Sequence, residues 1–342
     1  MLHGVQKLIF FGDSLTDGAA WPDWIVNTLN AHGYPDLSFH NAGIGGNTIH
    51  QMRTRLQADV LSLHPDLVIM HAGTNDARDP QTSSEEYHQN LDYIVRTLIA
   101  NKVRVLLLTL PTVRDDGRAN RQIMLDKITY SVAHKYNCPV ANTRTAFDEA
   151  LATGKILHEP DGVHHTLDGW RIMASTVMKA LGSDLPVEEI IAHISGTVCE
   201  WFISPPQQLP FDFSTATAQL SPLFDPNREH WKRFDANKIK PNLNWWLQTV
   251  VDRGAIFPLG NPEQVDNAGA FAAAKVLSRN ELTTLMRVGG SSRAIWLNGE
   301  LVWDQAESHG VHADAARFPV TLHKGINRIV VFSESFFYLS LG

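Results

Sequence analysis

Four short polar segments of the chain contain side chains that could carry out hydrolysis. Ser14 in the first segment supplies a hydroxyl, and Asp161 and His164 in the last supply a carboxylate and an imidazole. Ester hydrolysis through a serine requires an activated hydroxyl, a base within hydrogen-bonding distance, a group that orients the base, and donors for the oxyanion. The four segments are FFGDSLTDG (Phe10–Gly18), NAGIGGNT (Asn41–Thr48), HAGTNDAR (His71–Arg78) and DGVHH (Asp161–His165).

The spacing and the residue types within these segments predict how the groups could cooperate. Asp161 and His164 are three residues apart, so on a helical turn they would share a face and the carboxylate could reach the imidazole. Gly46 has no side chain, and its backbone N–H can therefore approach a substrate closely. Asn75 can offer a side-chain N–H. Together with Ser14, these residues provide every chemical type that ester hydrolysis requires.

The elements that must position these groups follow from the hydrophobic pattern. Short apolar runs alternate with helical patterns over the first half of the chain, which predicts a parallel sheet covered by helices on both faces. Three of the four polar segments directly follow predicted strands, at the edge of an open α/β sheet where ligands bind. The five predicted strands are Leu8–Phe11, Leu37–Ala42, Leu67–His71, Val103–Leu110 and Pro139–Asn142.

In this order and on these elements, the four segments resemble the signature blocks of the SGNH/GDSL hydrolases. Gly12–Leu15 reads GDSL, Gly73–Asp76 reads GTND and Asp161–His164 reads DGVH. Gly46 occupies the position of the family's oxyanion glycine. The resemblance covers roughly residues 5–182. It implies an α/β fold of the flavodoxin-like kind, with three α/β/α layers around a five-stranded parallel sheet.

The resemblance also implies a mechanism of two-step acyl transfer. Ser14 would act as the nucleophile, His164 as the base and Asp161 as the group that orients His164. The backbone N–H groups of Ser14 and Gly46 and the amide of Asn75 would form the oxyanion hole. The implied protein is a carboxylic ester hydrolase that acts on a small-molecule or glycan ester and requires no metal and no other cofactor.

The sequence changes character after Gly182. From about Ser195 onward the hydrophobic periodicity approaches two, and Asn298-Gly299 lies between alternating apolar residues, which is typical of a type I′ hairpin. These features predict two domains: an SGNH/GDSL catalytic domain over residues 1–185 and an all-β sandwich over residues 195–342. Six of the nine tryptophans lie in this second part, namely Trp201, Trp231, Trp245, Trp246, Trp296 and Trp303.

The second part of the chain has its own resemblance, which is less specific. Residues 265–335 resemble the jelly-roll modules that are often attached to bacterial carbohydrate-active enzymes. The resemblance implies an accessory domain that could bind carbohydrate. Aromatic rings stack on sugars, but tryptophans also fill the cores of β-sandwiches, and both interpretations of the tryptophans stay open.

Composition and charge exclude several other classes of function. The formal net charge of −7 and the lack of a basic run argue against nucleic acid as a partner. No stretch reaches the ~18 apolar residues of a membrane span. Met1–Lys7 is not followed by a long apolar segment, so a cytoplasmic location is the default expectation, with secretion as the alternative if a signal was removed. Cys138 and Cys199 could form at most one disulfide.

Three functional interpretations follow. The first is a carbohydrate O-acetyl esterase, in which the sugar preference depends on the C-terminal part alone. The second is an esterase of the same fold that acts on lipid acyl esters, aryl esters or thioesters. The third is a non-catalytic glycan-binding protein, against which the complete set of catalytic residue types argues. A metal cluster is a further alternative for one segment, with the ligands His158, Asp161, His164 and His165.

Overall fold

The chain forms two compact units, Met1–Ile191 and Ala192–Gly342. The computed structural model describes residues 1–17, 19–34, 37–114, 117–189, 198, 200–208, 231–235, 250–251, 254–259, 268–305 and 316–342. Two of the tryptophans noted above, Trp245 and Trp246, and the cysteine Cys199 lie outside these residues. No helix in the described part of the chain is long and apolar enough to cross a membrane.

The first unit contains a five-stranded parallel sheet with the strand order β2-β1-β3-β4-β5. This sheet confirms the predicted fold class. The chain runs outward from β1 to β2 and then crosses to β3 on the other side of β1, so the connections diverge at the carboxyl end of β1, where open α/β sheets bind ligands. The strands are β1 (Lys7–Gly12), β2 (Ser38–Gly43), β3 (Leu67–Met70), β4 (Arg104–Leu108) and β5 (Val140–Ala141).

Eight α-helices lie in the described part of the first unit and cover both faces of this sheet. Ile9 and Phe11 of β1 belong to a buried cluster that also contains residues of the third, fifth and sixth helices. On the opposite face, Phe10 makes an edge-to-face contact with Trp21 of the second helix at 5.1 Å. The alternation of strand side chains therefore produces the three-layer arrangement. The helices are α1 (Ser14–Asp17), α2 (Trp21–Ala31), α3 (Ile49–Asp59), α4 (Thr74–Arg78), α5 (Ser84–Ala100), α6 (Ala119–Tyr136), α7 (Thr143–Ala152) and α8 (Leu167–Leu181).

The second unit is an antiparallel β structure in which six strands form the order β11-β10-β13-β9-β6-β8. Two further strands pair at its sides, β12 with β10 and β7 with β9. The predicted all-β character of this part is confirmed. The strands are β6 (Phe202–Ile203), β7 (Gln207–Gln208), β8 (Lys232–Arg233), β9 (Ala268–Ser278), β10 (Leu282–Leu297), β11 (Glu300–Asp304), β12 (Ala316–Leu322) and β13 (Gly325–Leu341).

The two longest strands of this unit, β10 and β13, run through both halves of the sheet. Their register shifts between Gly290 and Ser292, and β10 pairs with β12 before this point and with β11 after it. Met286 from the first half and Ile295 from the second lie in the same buried cluster. The two halves therefore contribute to one buried cluster.

Local turn chemistry explains how β10 continues into β11. Asn298 and Gly299 have φ angles of 53° and 96°, the positive values that a type I′ turn requires at both central positions. The Asn298 side chain also accepts a hydrogen bond from the backbone N–H of Arg328 at 2.9 Å. The hairpin predicted from the Asn-Gly dipeptide is confirmed.

The register shift in β10 generates a stability prediction. Gly290 has a φ of +73°, and a Cβ there would lie 2.5 Å from the backbone oxygen of Phe336. Gly290→Ala should therefore lower the free energy of unfolding by about 3–5 kcal/mol, because it combines backbone strain with overpacking. Gly325→Ala is the matched control, since its φ is +105° but nothing lies within 4 Å of the added carbon. The control should cost only about 1–2 kcal/mol. Equal losses in denaturant unfolding would show that the close contact has no effect.

Candidate active site

Ser14, His164 and Asp161 form a continuous chain of hydrogen bonds. Ser14 begins α1, is separated from the end of β1 by Asp13 alone, and is half-buried. Its Oγ lies 3.1 Å from Nε2 of His164, although the two residues are 150 positions apart in the sequence. The other ring nitrogen of His164, Nδ1, lies 2.6 Å from Oδ2 of Asp161. A hydroxyl, an imidazole and a carboxylate in this order can pass a proton from the hydroxyl to the imidazole while the carboxylate stabilises the resulting cation.

The contact between Asp161 and His164 arises in a turn rather than on the helical turn that the spacing suggested. Oδ1 of Asp161 accepts hydrogen bonds from the backbone N–H groups of Val163 and His164, both at 2.9 Å. Gly162 supplies a φ of +76° between them. The carboxylate therefore orders the turn with one oxygen and orients the imidazole with the other.

The same hydrogen bonds affect the charge of Asp161. Partial burial raises the pKa of its carboxyl group, but the bonds from the His164 ring and from the backbone N–H groups of Val163 and His164 outweigh this effect. The net pKa lies below its ordinary value. Asp161 is thus a carboxylate at neutral pH, as a partner for a protonated imidazole must be.

Two of the residues predicted to stabilise an oxyanion, Gly46 in the loop after β2 and Asn75 in α4, lie on segments that contact each other. Gly46 has a φ of +79°, and nothing lies within 4 Å of the position that a Cβ would occupy there. The side-chain amide of Asn75 donates one hydrogen bond to the backbone oxygen of Asn47 at 3.0 Å. An amide NH₂ has two donors, so its second N–H is available to a ligand. The neighbouring Gly45 approaches Ser14, because a Cβ on Gly45 would lie 3.8 Å from that of Ser14.

Two buried carboxylates hold the loop that contains Gly46, and the sequence interpretation gave neither of them a role. Asp17 accepts a hydrogen bond from the backbone N–H of Gly45 at 3.2 Å. Asp76 accepts one from the N–H of Ile49, which lies 3.1 Å from both of its oxygens. Asp76 belongs to the GTND block, so the motif itself could have indicated that Asp76 has a role in the site. The partners of both residues are distant in sequence and could not be assigned from the motif.

Two histidines considered as metal ligands lie in the protein interior instead. His165 is fully buried, with its ring centre 4.6 Å from that of Phe147 and 4.8 Å from that of Trp170. Burial holds the pKa of His165 well below its ordinary value, so its ring is neutral. The ring of His158 lies 2.7 Å from the backbone oxygen of Thr112. The residues that the structure describes include no group of three or more His, Cys, Asp or Glu side chains that could hold a metal ion.

With this geometry established, comparison with known proteins identifies the class. Residues 10–172 match the GDSL-like lipase/acylhydrolase family. The chain is 26% identical over 210 residues to the acetylxylan esterase of Geobacillus stearothermophilus, which covers 52% of this chain and 94% of that protein. It is 27% identical over 214 residues to the uncharacterized lipoprotein YqeF of Bacillus subtilis (strain 168), with coverages of 50% and 87%. A solved α/β hydrolase enzyme from the metagenome of Lake Arreo, Spain, is 26% identical, with a TM-score of 0.48 and coverages of 52% and 95%.

The fold and the family match define a carboxylic ester hydrolase. More narrowly, the match of residues 10–172 to the GDSL-like lipase/acylhydrolase family supports an esterase of the SGNH/GDSL type.

The buried carboxyl group of Asp76 generates a prediction about pH and stability. Burial raises its pKa to about 7, despite the hydrogen bond from Ile49. Between about pH 4 and pH 7 the folded protein therefore retains a proton that the unfolded chain releases, and the stability due to this group falls as the pH rises. Asp76→Asn should reduce the difference in the free energy of unfolding between pH 5 and pH 8.

Asp92→Asn provides the control for this measurement. Burial of Asp92 acts to raise its pKa, but hydrogen bonds from Lys135 and Tyr136 make the net shift downward. Its stabilising effect is therefore present throughout the range above pH 5, and Asp92→Asn should change the stability equally at both pH values. If urea unfolding of Asp76→Asn reproduced the wild-type difference between pH 5 and pH 8, the assignment of this pH dependence to Asp76 would be wrong.

Proposed function

We propose that the protein is a serine carbohydrate O-acetyl esterase that uses Ser14, His164 and Asp161 as its catalytic triad. The observation that carries the proposal is the chain of hydrogen bonds from Ser14 Oγ through the His164 ring to Asp161, at 3.1 and 2.6 Å. The family match supports the ester hydrolase chemistry. The similarity to a protein named acetylxylan esterase supports acetyl groups on sugars as the substrate.

In this mechanism, the first step is attack of Ser14 Oγ on the carbonyl carbon of the ester. Nε2 of His164 takes the hydroxyl proton, and Asp161 stabilises the imidazolium that results. The negative charge moves to the carbonyl oxygen, which accepts hydrogen bonds from the N–H groups of Ser14 and Gly46 and from the Asn75 amide. Collapse of the tetrahedral intermediate breaks the bond to the alcohol, and His164 protonates the departing oxygen.

The second step releases the acid. Water attacks the acyl-enzyme while His164 accepts a proton from it, and the same donors stabilise the second oxyanion. Expulsion of Ser14 Oγ, which recovers its proton from His164, completes the cycle. Ester and water thus yield carboxylic acid and alcohol. Apart from the ester and the water, all groups that these two reaction steps require are side chains and backbone N–H groups of the first unit.

We further propose a catalytic domain at residues 1–185 and an accessory β domain at residues 195–342. The burial of the described tryptophans of the second domain favours a structural role for most of them. Trp201 and Trp296 are fully buried, and Trp231 is 8% exposed. Trp303 is half-buried, and its ring is nearly parallel to that of Phe318, with centres 6.3 Å apart. Among the described tryptophans of this domain, Trp303 is therefore the candidate for contact with a sugar.

The nucleophile assignment can be tested by Ser14→Ala. Loss of a triad nucleophile should lower kcat for p-nitrophenyl acetate by about 10⁴-fold or more, with an unchanged circular dichroism spectrum. A fluorophosphonate should form one covalent adduct on Ser14, located by mass spectrometry of peptides. Ser175→Ala, on the exposed side of α8, should behave as wild type. Retained turnover in Ser14→Ala, or an adduct on another residue, would contradict the assignment.

The substrate class can be tested with a panel of esters. Acetylated xylo-oligosaccharides should give the highest kcat/KM, and p-nitrophenyl esters should lose activity as the acyl chain lengthens from acetate to octanoate. A kcat/KM that instead rose with acyl length, or activity confined to thioesters, would favour the second interpretation. If the protein hydrolysed none of these esters although its circular dichroism spectrum showed that it was folded, the non-catalytic interpretation would replace the proposal.

A further inference from the structure

Arg55 of α3 makes an unusually complete set of hydrogen bonds beside the candidate active site. Its Nε donates to Oδ1 of Asn47 at 2.7 Å, and its Nη2 donates to the backbone oxygen of Gly12 at 2.8 Å. Its Nη1 donates both to the backbone oxygen of Ala42 at 2.7 Å and to Oδ2 of Asp59 at 3.1 Å. The guanidinium also lies over the ring of Phe11, 4.7 Å from its centre. The side chain is only 12% exposed.

Three of these partners belong to the two segments that carry the proposed nucleophile and the proposed oxyanion glycine. Gly12 ends β1 and precedes Ser14 by two residues. Ala42 lies near the end of β2, and Asn47 directly follows Gly46. One rigid, planar group therefore connects the carboxyl ends of two adjacent strands with the loop beyond the second strand.

We propose that Arg55 is a positioning residue that sets the distance between the Gly46 backbone N–H and Ser14. This inference depends on the proposed function, since it assumes that Gly46 donates to the oxyanion. Arg55 acts through Gly12, Ala42 and Asn47 and need not touch the substrate. Misplacement of an oxyanion donor by ~1 Å can lower a rate by as much as about 100-fold, which makes such a link important for kcat.

The shape of arginine is essential to this role. A guanidinium presents its five donors in a fixed, planar fork, and four of its N–H directions are used here on separate oxygens. A lysine ammonium has three donors on a flexible stem and cannot reach all of these oxygens from one position. Arg55→Lys therefore retains the charge and most of the apolar stem but loses the geometry.

The same helix provides a matched control. Arg53 also donates a hydrogen bond to a distant side chain, Oδ1 of Asn90, at 3.0 Å. It also lies over an aromatic ring, that of Tyr93, 4.0 Å from the ring centre. Its two partners both belong to α5, away from the segments that carry Ser14 and Gly46. Arg53→Lys thus changes a similar contact on the same helix without touching the proposed oxyanion loop.

The experiment compares Arg55→Lys and Arg53→Lys in the full chain. Active sites are first counted by titration with a fluorophosphonate, so that rates refer to folded enzyme. Arg55→Lys should lower kcat for p-nitrophenyl acetate by about 10- to 100-fold, with KM changed by less than about threefold. The rate of phosphonylation should fall by a similar factor, because the phosphoryl oxygen uses the same donors. Arg53→Lys should retain wild-type values for all three quantities.

A purely structural role for Arg55 would give a different result. Arg55→Lys would then melt at a lower temperature but retain wild-type kcat per titrated site, and the proposal would be overturned. Equal losses of kcat in Arg55→Lys and Arg53→Lys would overturn it as well, because the effect would then belong to α3 as a whole.

Asn47→Ala provides a second test if Arg55→Lys does not fold. This variant removes only the acceptor for Nε of Arg55, and it should lower kcat by about 3- to 10-fold. In Arg55→Lys/Asn47→Ala the losses should be less than multiplicative, because both changes break the same link. Unchanged kcat in Asn47→Ala would overturn the proposal.

Ser14→Ala, measured in parallel, separates this inference from the proposed function. If Ser14→Ala retained turnover, the proposed function itself would fail. If Ser14→Ala were inactive while Arg55→Lys retained full kcat, the proposed function would stand and only the role of Arg55 would be overturned.

Discussion

The hydrogen bond between Ser14 and His164 makes the strictest demand on the fold, because it connects residues 150 positions apart. It can form only if the carboxyl end of β1 and the turn before α8 meet at one edge of the sheet. The strand order β2-β1-β3-β4-β5 is compatible with this demand, since β1 lies between β2 and β3 and Ser14 is therefore flanked by the loops that follow these two strands. The turn before α8 is itself held by the N–H of Glu159, which donates to the backbone oxygen of His164 at 2.8 Å.

Around this bond, the first unit restrains the Gly46 loop from several directions. Asp17 binds it from the side of α1, Asp76 from α4 and Arg55 from α3. Burial of such charged groups is expensive unless backbone donors or counter-charges compensate them. The raised pKa of Asp76 reflects the unfavourable part of this balance. A loop held in this manner needs little reorganisation when charge develops on a substrate oxygen, which is the physical basis of electrostatic preorganisation.

Different interactions organise the second unit. Its order comes from long antiparallel strands, a register shift at Gly290 and an apolar core shared by the two halves of the sheet. Of its buried tryptophans, Trp201 belongs to that core, and Trp231 and Trp296 belong to a second buried cluster. A fold of this type is compatible with many functions, and only individual surface groups, such as the half-buried Trp303, can argue for one of them.

Local sequence determined much of this protein. Hydrophobic periodicity predicted the five parallel strands, the Asn-Gly dipeptide predicted the hairpin, and the four polar blocks indicated which side chains to consider, because each of these signals depends on neighbours in the chain. Tertiary structure decided the rest. The spacing of Asp161 and His164 suggested a helical turn, but side-chain hydrogen bonds to the backbone produce a different one. The burial of His165 and the bonds of Arg55 depend on residues brought together by folding, and contacts between distant segments leave no periodic pattern in the sequence.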